Sequence, residues 1–583
     1  MSDAFFASPI LNSPYQEPQQ HWELDENGQP TSMVVPRRRT SALVSPIPKA
    51  RKIRGKAIQA DLLTEGDGQE YNPTEVINGV RSAVDSWRRL PESQWQVTPS
   101  TARLLRHWRT HDFANQKPFF CQVEAVETVI WLTEVAPKSS SQGRRFWTHL
   151  EAANAASNPE LLRMALKLAT GAGKTTVMAM LIAWQTVNAV RHPNAKRFSR
   201  GFLIVAPGIT IKDRLRVLQP NDPESYYGSR EIVPEDMLGD LGRAKIVITN
   251  YHAFKKKDEV PLNKVQQAAL RTTPKPESDG AMIRRVAGEL MGLKNIVVMN
   301  DEAHHCYRER QLTPEEKAAL KGDDLAEAKE NNEAARLWIS GLEAIKRELG
   351  VSMVYDLSAT PFFLKGSGYR EGSLFGWVMS DFSLMDAIEC GIVKLPRVPI
   401  MDNVPGGDTP MFRNLWEHVG KALPKKSGGA KGLDPQKLPN ALLSAIDALY
   451  GHYEKTQTLW QEAGVGVDPV FIVVCNNIAT STLITKYIAG YEVTDEHGNT
   501  NLVAGKCPLF RNFDPDGAAM PRMRTLQIDS QQIDSGEAIS ADFRAAAGPE
   551  IARFKDELIQ RTGDRQAAEK IDDATILREV MNT

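Results

Sequence analysis

The stretch 168-LATGAGKTTVMAML-181 decides how the rest of the chain is read. Gly171 and Gly173 flank Ala172, a lysine and two threonines come after them, and an apolar run comes next. Glycine accepts positive φ and lets a backbone approach a ligand closely. A helix N-terminus offers unpaired N–H groups and partial positive charge to an anion. Just upstream, 164-MALKL-168 has the length and apolar character of a strand, and a helix is expected from near Lys174. Strand, Gly-rich turn and helix in that order make a phosphate cradle. Thr170, Gly171, Ala172, Gly173, Lys174, Thr175 and Thr176 line it. Lys174 would reach the β- and γ-phosphates, and the Thr175 hydroxyl would ligate Mg²⁺. The common pattern opens on a glycine where this chain has Leu168, but TGAGKT is intact.

Further along, 296-IVVMNDEAHHC-306 reads as an apolar strand ending in two carboxylates. Catalytic groups of open α/β sheets gather at the carboxyl ends of strands. Asp301 is placed to hold Mg²⁺ through its water shell, and Glu302 to orient and deprotonate an attacking water. An adjacent Asp-Glu pair is weak by itself; combined with Lys174 it points to triphosphate hydrolysis.

Between these two sites and on either side of them, short apolar runs alternate with helical segments. The runs are 164-MALKL-168, 202-FLIVA-206, 245-KIVIT-249, 296-IVVM-299 and 353-MVYDL-357. Such alternation predicts an α/β fold with a parallel sheet covered on both faces. The charged segment 312–349 reads as helices packed on the outside. Residues 424-PKKSGGAKGLDP-435 form a linker by composition. Beyond it, a helical stretch at about 440–463 leads to strand-like runs at 470-VFIVVC-475 and 524-RTLQID-529, and 566–583 reads as helical.

The N-terminal region is Pro-rich. Its segment 31–60 holds eight Lys/Arg and no Asp or Glu, which reads either as a solvated tail or as an arm along a phosphate backbone. Val76, Ile77, Val80, Val84 and Trp87 then recur at helical spacing after Asn72, a candidate cap, and Pro73. Whole-chain charge is balanced, with 71 Lys+Arg against 72 Asp+Glu, so a nucleic-acid surface must be local. The five cysteines form no CxxC pair, which fits a reduced, cytoplasmic protein with no disulfide framework. Neither a secretory leader nor an apolar run long enough to span a bilayer is evident.

DEAH at 301–304 together with TGAGKT resembles the superfamily 2 helicases and translocases. That resemblance implies roles for several more residues. Gln122, in 118-PFFCQVEAVETV-129, takes the place of the glutamine that reads adenine. Pro207, in 202-FLIVAPGITIKDRL-215, belongs to motif Ia, and Thr249 and Asn250 to the next contact with a nucleic-acid backbone, with Lys255, Lys256 and Lys257 close by. Ser358, Ala359 and Thr360 look like motif III, which couples hydrolysis to movement, and His304 joins that coupling. The run 470–477 looks like motif IV. The architecture implied is a RecA-like P-loop ATPase domain with an incomplete second RecA-like domain and a mixed N-terminal extension. Boundaries are expected at 1–110 for the extension, 111–400 for the first RecA-like domain, 401–465 for a linker and helical segment, and 466–583 for the partial second domain.

Within the superfamily, NSPYQEPQQHW, NDEAHHCYRER and NNEAARLWISGLEAIKREL resemble the Res subunit of type III restriction enzymes. Res subunits often carry DEPH where this chain has DEAH. TEGxD-like motif V and QxxGRxxR motif VI, the latter the source of an arginine finger, are not found before Thr583. Glu327-Ala328-Lys329 has the last spacing of a nuclease core but sits in a charged helix without a partner carboxylate. The resemblance therefore implies an ATP- and Mg²⁺-dependent motor on double-stranded DNA, the front part of a longer protein or one completed by a separate chain. It also implies a Mod-like methyltransferase partner, a second motor half and a nuclease supplied elsewhere. Without the finger, the chain alone is expected to hydrolyse ATP poorly. The rival readings are an RNA or DNA-repair helicase and a non-hydrolysing ATP-binding regulator or scaffold.

Overall fold

The structure is a computed structural model. It describes residues 3–25, 28–42, 73–139, 141–208, 214–257, 277–312, 323–395, 415–424, 438–494 and 500–514, with a few further positions between 314 and 559. The chain divides into two compact units, Met1–Leu395 and Pro396–Thr583.

The first unit is built on six parallel strands. They are β3 (Arg163–Leu168), β4 (Gly201–Ala206), β5 (Lys245–Asn250), β6 (Ile296–Asp301), β7 (Val351–Ser358) and β8 (Val378–Phe382), in the spatial order β5-β4-β6-β7-β3-β8. Alternate residues of β4, β5, β6 and β7 feed opposite cores. Phe202, Ile204, Val297, Met299 and Tyr355 face one cluster; Leu203, Val205, Ile296, Val298 and Val354 face the other. A sheet apolar on both faces must be covered on both. The first face carries α1 (Pro73–Arg88), α2 (Pro99–Thr110), α3 (Phe120–Ile130) and α4 (Lys174–Arg191). The second carries α5 (Asp279–Ala287) and the long α6 (Asp323–Leu349). Charged as it is, α6 still has a buried stripe of Ala335, Trp338, Ile339, Leu342, Ile345 and Leu349 at three- and four-residue spacing.

β8 is a strand that the apolar pattern does not reveal, because Ser380 and Asp381 interrupt it. Asp381 is satisfied by Lys167 Nζ at 2.6 Å and by the Ser41 hydroxyl at 2.6 Å. A short antiparallel hairpin, β1 (His21–Leu24) with β2 (Pro30–Val35), lies upstream of the sheet.

The basic segment 31–60 is described only to residue 42, and Asn72 and 43–71 lie outside the described residues. Within the described part, the reading as a free tail or backbone arm is corrected. Arg38 holds Glu124 of α3 with two hydrogen bonds of 2.6 Å, and Arg39 holds the buried Glu389 at 2.5 Å. These two guanidiniums are consumed inside the fold, where burial makes an intramolecular carboxylate the stronger partner.

In the second unit, α7 (Asn440–Glu462) and α8 (Ile478–Ala489) pack through Leu442, Ile446, Tyr450, Leu483, Ile484 and Tyr487. Strands β9 (Gly490–Thr494) and β10 (Thr500–Ala504) form an antiparallel hairpin. The strand expected at 470–475 is not formed. That run pairs with nothing in a sheet and leaves Val470, Ile472 and Val474 82%, 77% and 91% exposed. Residues 524–527 are likewise outside any strand; 528–529 and 566–583 lie outside the described residues, as does most of the 424–435 linker. No described helix is long and apolar enough to cross a membrane.

Candidate active site

The turn between β3 and α4 is shaped by two left-handed glycines, Gly171 at φ 84° and Gly173 at φ 82°. Gly173 is also sterically closed, and Gly171 is tight. A Cβ on Gly173 would meet Gln122 Nε2 at 2.2 Å, and one on Gly171 would meet Val393 at 3.3 Å. Ala172 is buried beneath the turn, Thr170 and Gly171 are exposed on it, and Lys174 opens the helix. Thr175 is partly exposed at the helix start. Thr176 faces inward and accepts a hydrogen bond from Arg230 Nη1 at 2.9 Å.

The carboxylates come from the end of β6, which β7 separates from β3 in the sheet. Lys174 Nζ rests 2.8 Å from Glu302 Oε1. Glu302 has φ 48°, the left-handed region, which is uncommon for a residue with a side chain and concentrates at functional sites. Asp301 is buried, and its Oδ1 has no hydrogen-bond partner among the described residues. Burial lifts the Asp301 carboxyl to about 6, neighbouring Glu302 adds to this, and Lys174 opposes it. An orphaned buried carboxylate oxygen in a site that also holds a helix-start hydroxyl fits a hard divalent cation, whose charge would reverse that lift.

His304 Nδ1 lies 3.0 Å from Ser358 Oγ, which also accepts the Thr360 N–H at 3.0 Å. Burial pushes the His304 imidazole down to about 4, so its 3.6 Å approach to Glu302 is not an ion pair at neutral pH. The structure thus joins the DEAH end of β6 to the end of β7 through one imidazole.

Gln122 sits in the first turn of α3. Its Oε1 accepts from the Phe119 N–H at 3.0 Å and its Nε2 donates to Ala172 O at 2.9 Å. The side chain that the sequence assigns to adenine is here a strut between α3 and the phosphate turn. Nearby, Tyr15 lies 5.7 Å from the Phe119 ring, and Pro14 O accepts the Phe120 N–H, so the N-terminal segment backs this strut.

The nucleic-acid candidates sit apart from the phosphate turn, at the ends of β4 and β5. Pro207 is partly exposed just past β4, and residues 209–213 lie outside the described residues. Thr249 is buried, its hydroxyl directed at Asn250 O. Asn250 Oδ1 caps the turn Tyr251–Phe254 by accepting the Ala253 N–H at 3.0 Å. Lys256 pairs with Asp279 at 2.8 Å, while Lys255 and Lys257 extend into solvent.

Sequence reasoning missed Arg230, which bonds Thr176 of the cradle, and the pairing of Arg38 with Glu124 of α3. Two arginines, Arg38 and Arg88, also stack on Phe120 at 5.5 and 5.0 Å. For Arg38, the absence of acids in 31–60 was the hint that its partner lay elsewhere.

A parallel sheet with a Gly-rich turn, a lysine on a glutamate and an aspartate open to a cation define a P-loop ATPase of the RecA-like type. Residues 116–363 match the family model of the type III restriction enzyme, res subunit. This stretch is a superfamily 2 helicase-like domain related to that subunit, a class of ATP-dependent motor that uses ATP and Mg²⁺. No curated protein and no solved structure matches the chain.

Proposed function

We propose that the chain is the ATP-binding motor part of a type III-like restriction enzyme that translocates along double-stranded DNA. The 2.8 Å contact between Lys174 and Glu302 carries this reading, because it brings phosphate ligand and general base to one point of a Res-related domain. In this reading Lys174 and the turn N–H groups of residues 171–175 bind the β- and γ-phosphates. Glu302 takes the proton from the attacking water. Thr175 and Asp301 would hold Mg²⁺, which supplies charge neutralisation on the phosphates. His304 and Ser358 pass the state of the site to β7 and Thr360. Gln122 exchanges its bond to Ala172 O for the adenine edge.

Pro207, Asn250 and the exposed Lys255 and Lys257 would face the nucleic-acid backbone. A Mod-like methyltransferase partner and a nuclease supplied by further sequence or another chain belong to the same proposal. So does slow turnover by the chain alone, since no QxxGRxxR run supplies an arginine finger. The test is ATP turnover by the 583-residue chain with duplex DNA, duplex RNA or neither. Stimulation by duplex DNA alone supports the reading. Stimulation by RNA in preference to DNA supports an RNA helicase. Tight ATP binding with Glu302→Gln indistinguishable from wild type in every assay supports a non-hydrolysing regulator.

A further inference from the structure

Behind the carboxylates of β6 lies a polar chain that the ATP chemistry does not use. Asn300, one residue before Asp301, is fully buried and has both ends of its carboxamide committed. Its Nδ2 donates to Asp356 Oδ1 at 2.8 Å, and its Oδ1 accepts from Trp338 Nε1 at 3.1 Å. An indole can only donate and a carboxylate can only accept, so the amide has one permitted orientation. Asp356 is itself fixed by Arg163 Nε at 2.8 Å and by Trp377 Nε1 at 2.8 Å. The group is fully desolvated and, apart from Arg163 Nη2, its polar atoms are paired; paired networks of this kind rigidify a core.

Trp338 faces two ways. Its N–H ends on Asn300, and its ring stacks on Tyr251 with centroids 5.3 Å apart and planes 5° apart. Tyr251 opens the turn that comes after Thr249 and Asn250. One turn further along α6, Gly341 lies against Phe254, the last residue of the same turn; a Cβ there would meet the ring at 2.2 Å. The turn 251–254 is therefore clamped on α6 at two points, Tyr251 on Trp338 and Phe254 on Gly341. A shift of this turn cannot be absorbed locally, because close-packed cores transmit displacement rather than damp it.

We propose that Trp338 is a positioning residue: it couples the state of the loop 249–257 to the Asp301 end of β6 through its hydrogen bond to Asn300. The inference rests on the proposed reading that this loop meets a nucleic-acid backbone. The element that carries the signal is the Tyr251–Phe254 turn on α6, and the signal is a displacement of the indole N–H that Asn300 must follow. Coupling between two sites is reciprocal, so bound nucleotide must change nucleic-acid affinity by the same factor that nucleic acid changes nucleotide affinity.

The experiment measures that factor on the full chain. Binding of a fluorescein-labelled DNA duplex is followed by anisotropy, with and without AMP-PNP and Mg²⁺, and nucleotide binding is followed with and without the duplex. Trp338→Phe keeps a ring on Tyr251 and deletes the N–H. Gly341→Ala displaces Phe254 without touching Asn300, and Ser340→Ala, exposed on the same helix, is the control. Wild type and Ser340→Ala are expected to show a coupling factor of at least about 5. In Trp338→Phe and Gly341→Ala that factor falls towards 1, while nucleotide affinity in the absence of DNA stays within about 2-fold of wild type. A structural role alone would lower the thermal midpoint and leave the factor intact; that result in both variants overturns the relay and leaves the nucleic-acid reading standing. Wild type that binds no duplex overturns the relay and the nucleic-acid reading together; wild type that binds it equally with and without nucleotide overturns the relay alone.

Discussion

Two apolar runs of near-identical composition meet opposite fates in this molecule. In the first unit, 202-FLIVA-206 lies between β5 and β6 with every residue buried. In the second, 470-VFIVVC-475 has no strand neighbour and exposes Val470, Ile472 and Val474. β-Branched residues do not make a strand by preference alone. The preference expresses packing on a pleated, half-buried surface, and without a neighbouring strand it has nothing to act on. The first unit supplies those neighbours in parallel register, and its candidate catalytic groups sit at the ends of the strands so formed.

The largest effect that would sharpen this contrast is in the buried centre of the sheet. Asp356→Ala removes the carboxylate from the desolvated Arg163 guanidinium, and should cost about 3–5 kcal/mol in urea denaturation followed by tryptophan fluorescence. A cost under about 1 kcal/mol would show that the sheet centre is as tolerant as the second unit. Next is Lys174→Ala, which should lower ATP turnover by about 10²–10³-fold, the scale for losing one preorganised electrostatic group. Turnover within a few-fold of wild type would detach the turn from catalysis.

A pH effect comes third. Burial alone would lift the Glu124 carboxyl, but Arg38 outweighs it and holds the group at about 2. A depressed carboxylate contributes stability above its unfolded pKa, about 4.3, and loses it as pH falls towards the folded value. Wild type should therefore lose stability across that window, and Arg38→Met should start lower at neutral pH and fall less steeply. Parallel curves for the two proteins would remove the arm from the stability of the first unit. The smallest effect is expected where exposure is greatest. Val474→Ser should change stability by no more than about 0.5 kcal/mol, the range for surface sites, whereas Val205→Ser in β4 should cost several-fold more. Equal costs would break the comparison outright.

Much of the first unit was legible in the chain. Five strands announce themselves as apolar runs, and the order strand, Gly-rich turn, helix places Lys174 opposite Asp301 and Glu302. The rest was hidden for physical reasons. β8 carries Ser380 and Asp381, and the burial of Asp381 makes sense only once Lys167 and Ser41 are seen beside it. Arg38 and Arg39 read as solvent-seeking cations because their carboxylates, Glu124 and Glu389, are distant in sequence. Gln122 carries the residue type expected at an adenine site, but its hydrogen bond to Ala172 O depends on a close approach of α3 to the turn. Hydrophobic run length could not warn of the unpaired 470–475 segment, since a run says nothing of its neighbours.

The lysine resting on Glu302 has a consequence of its own. While Lys174 neutralises that carboxylate, the base is masked, and any water near it meets a spent charge. In the proposed reading a triphosphate draws the ammonium away, and the glutamate is disclosed at the moment its substrate arrives. The site would be armed by the molecule it consumes, a safety catch made of a single 2.8 Å contact.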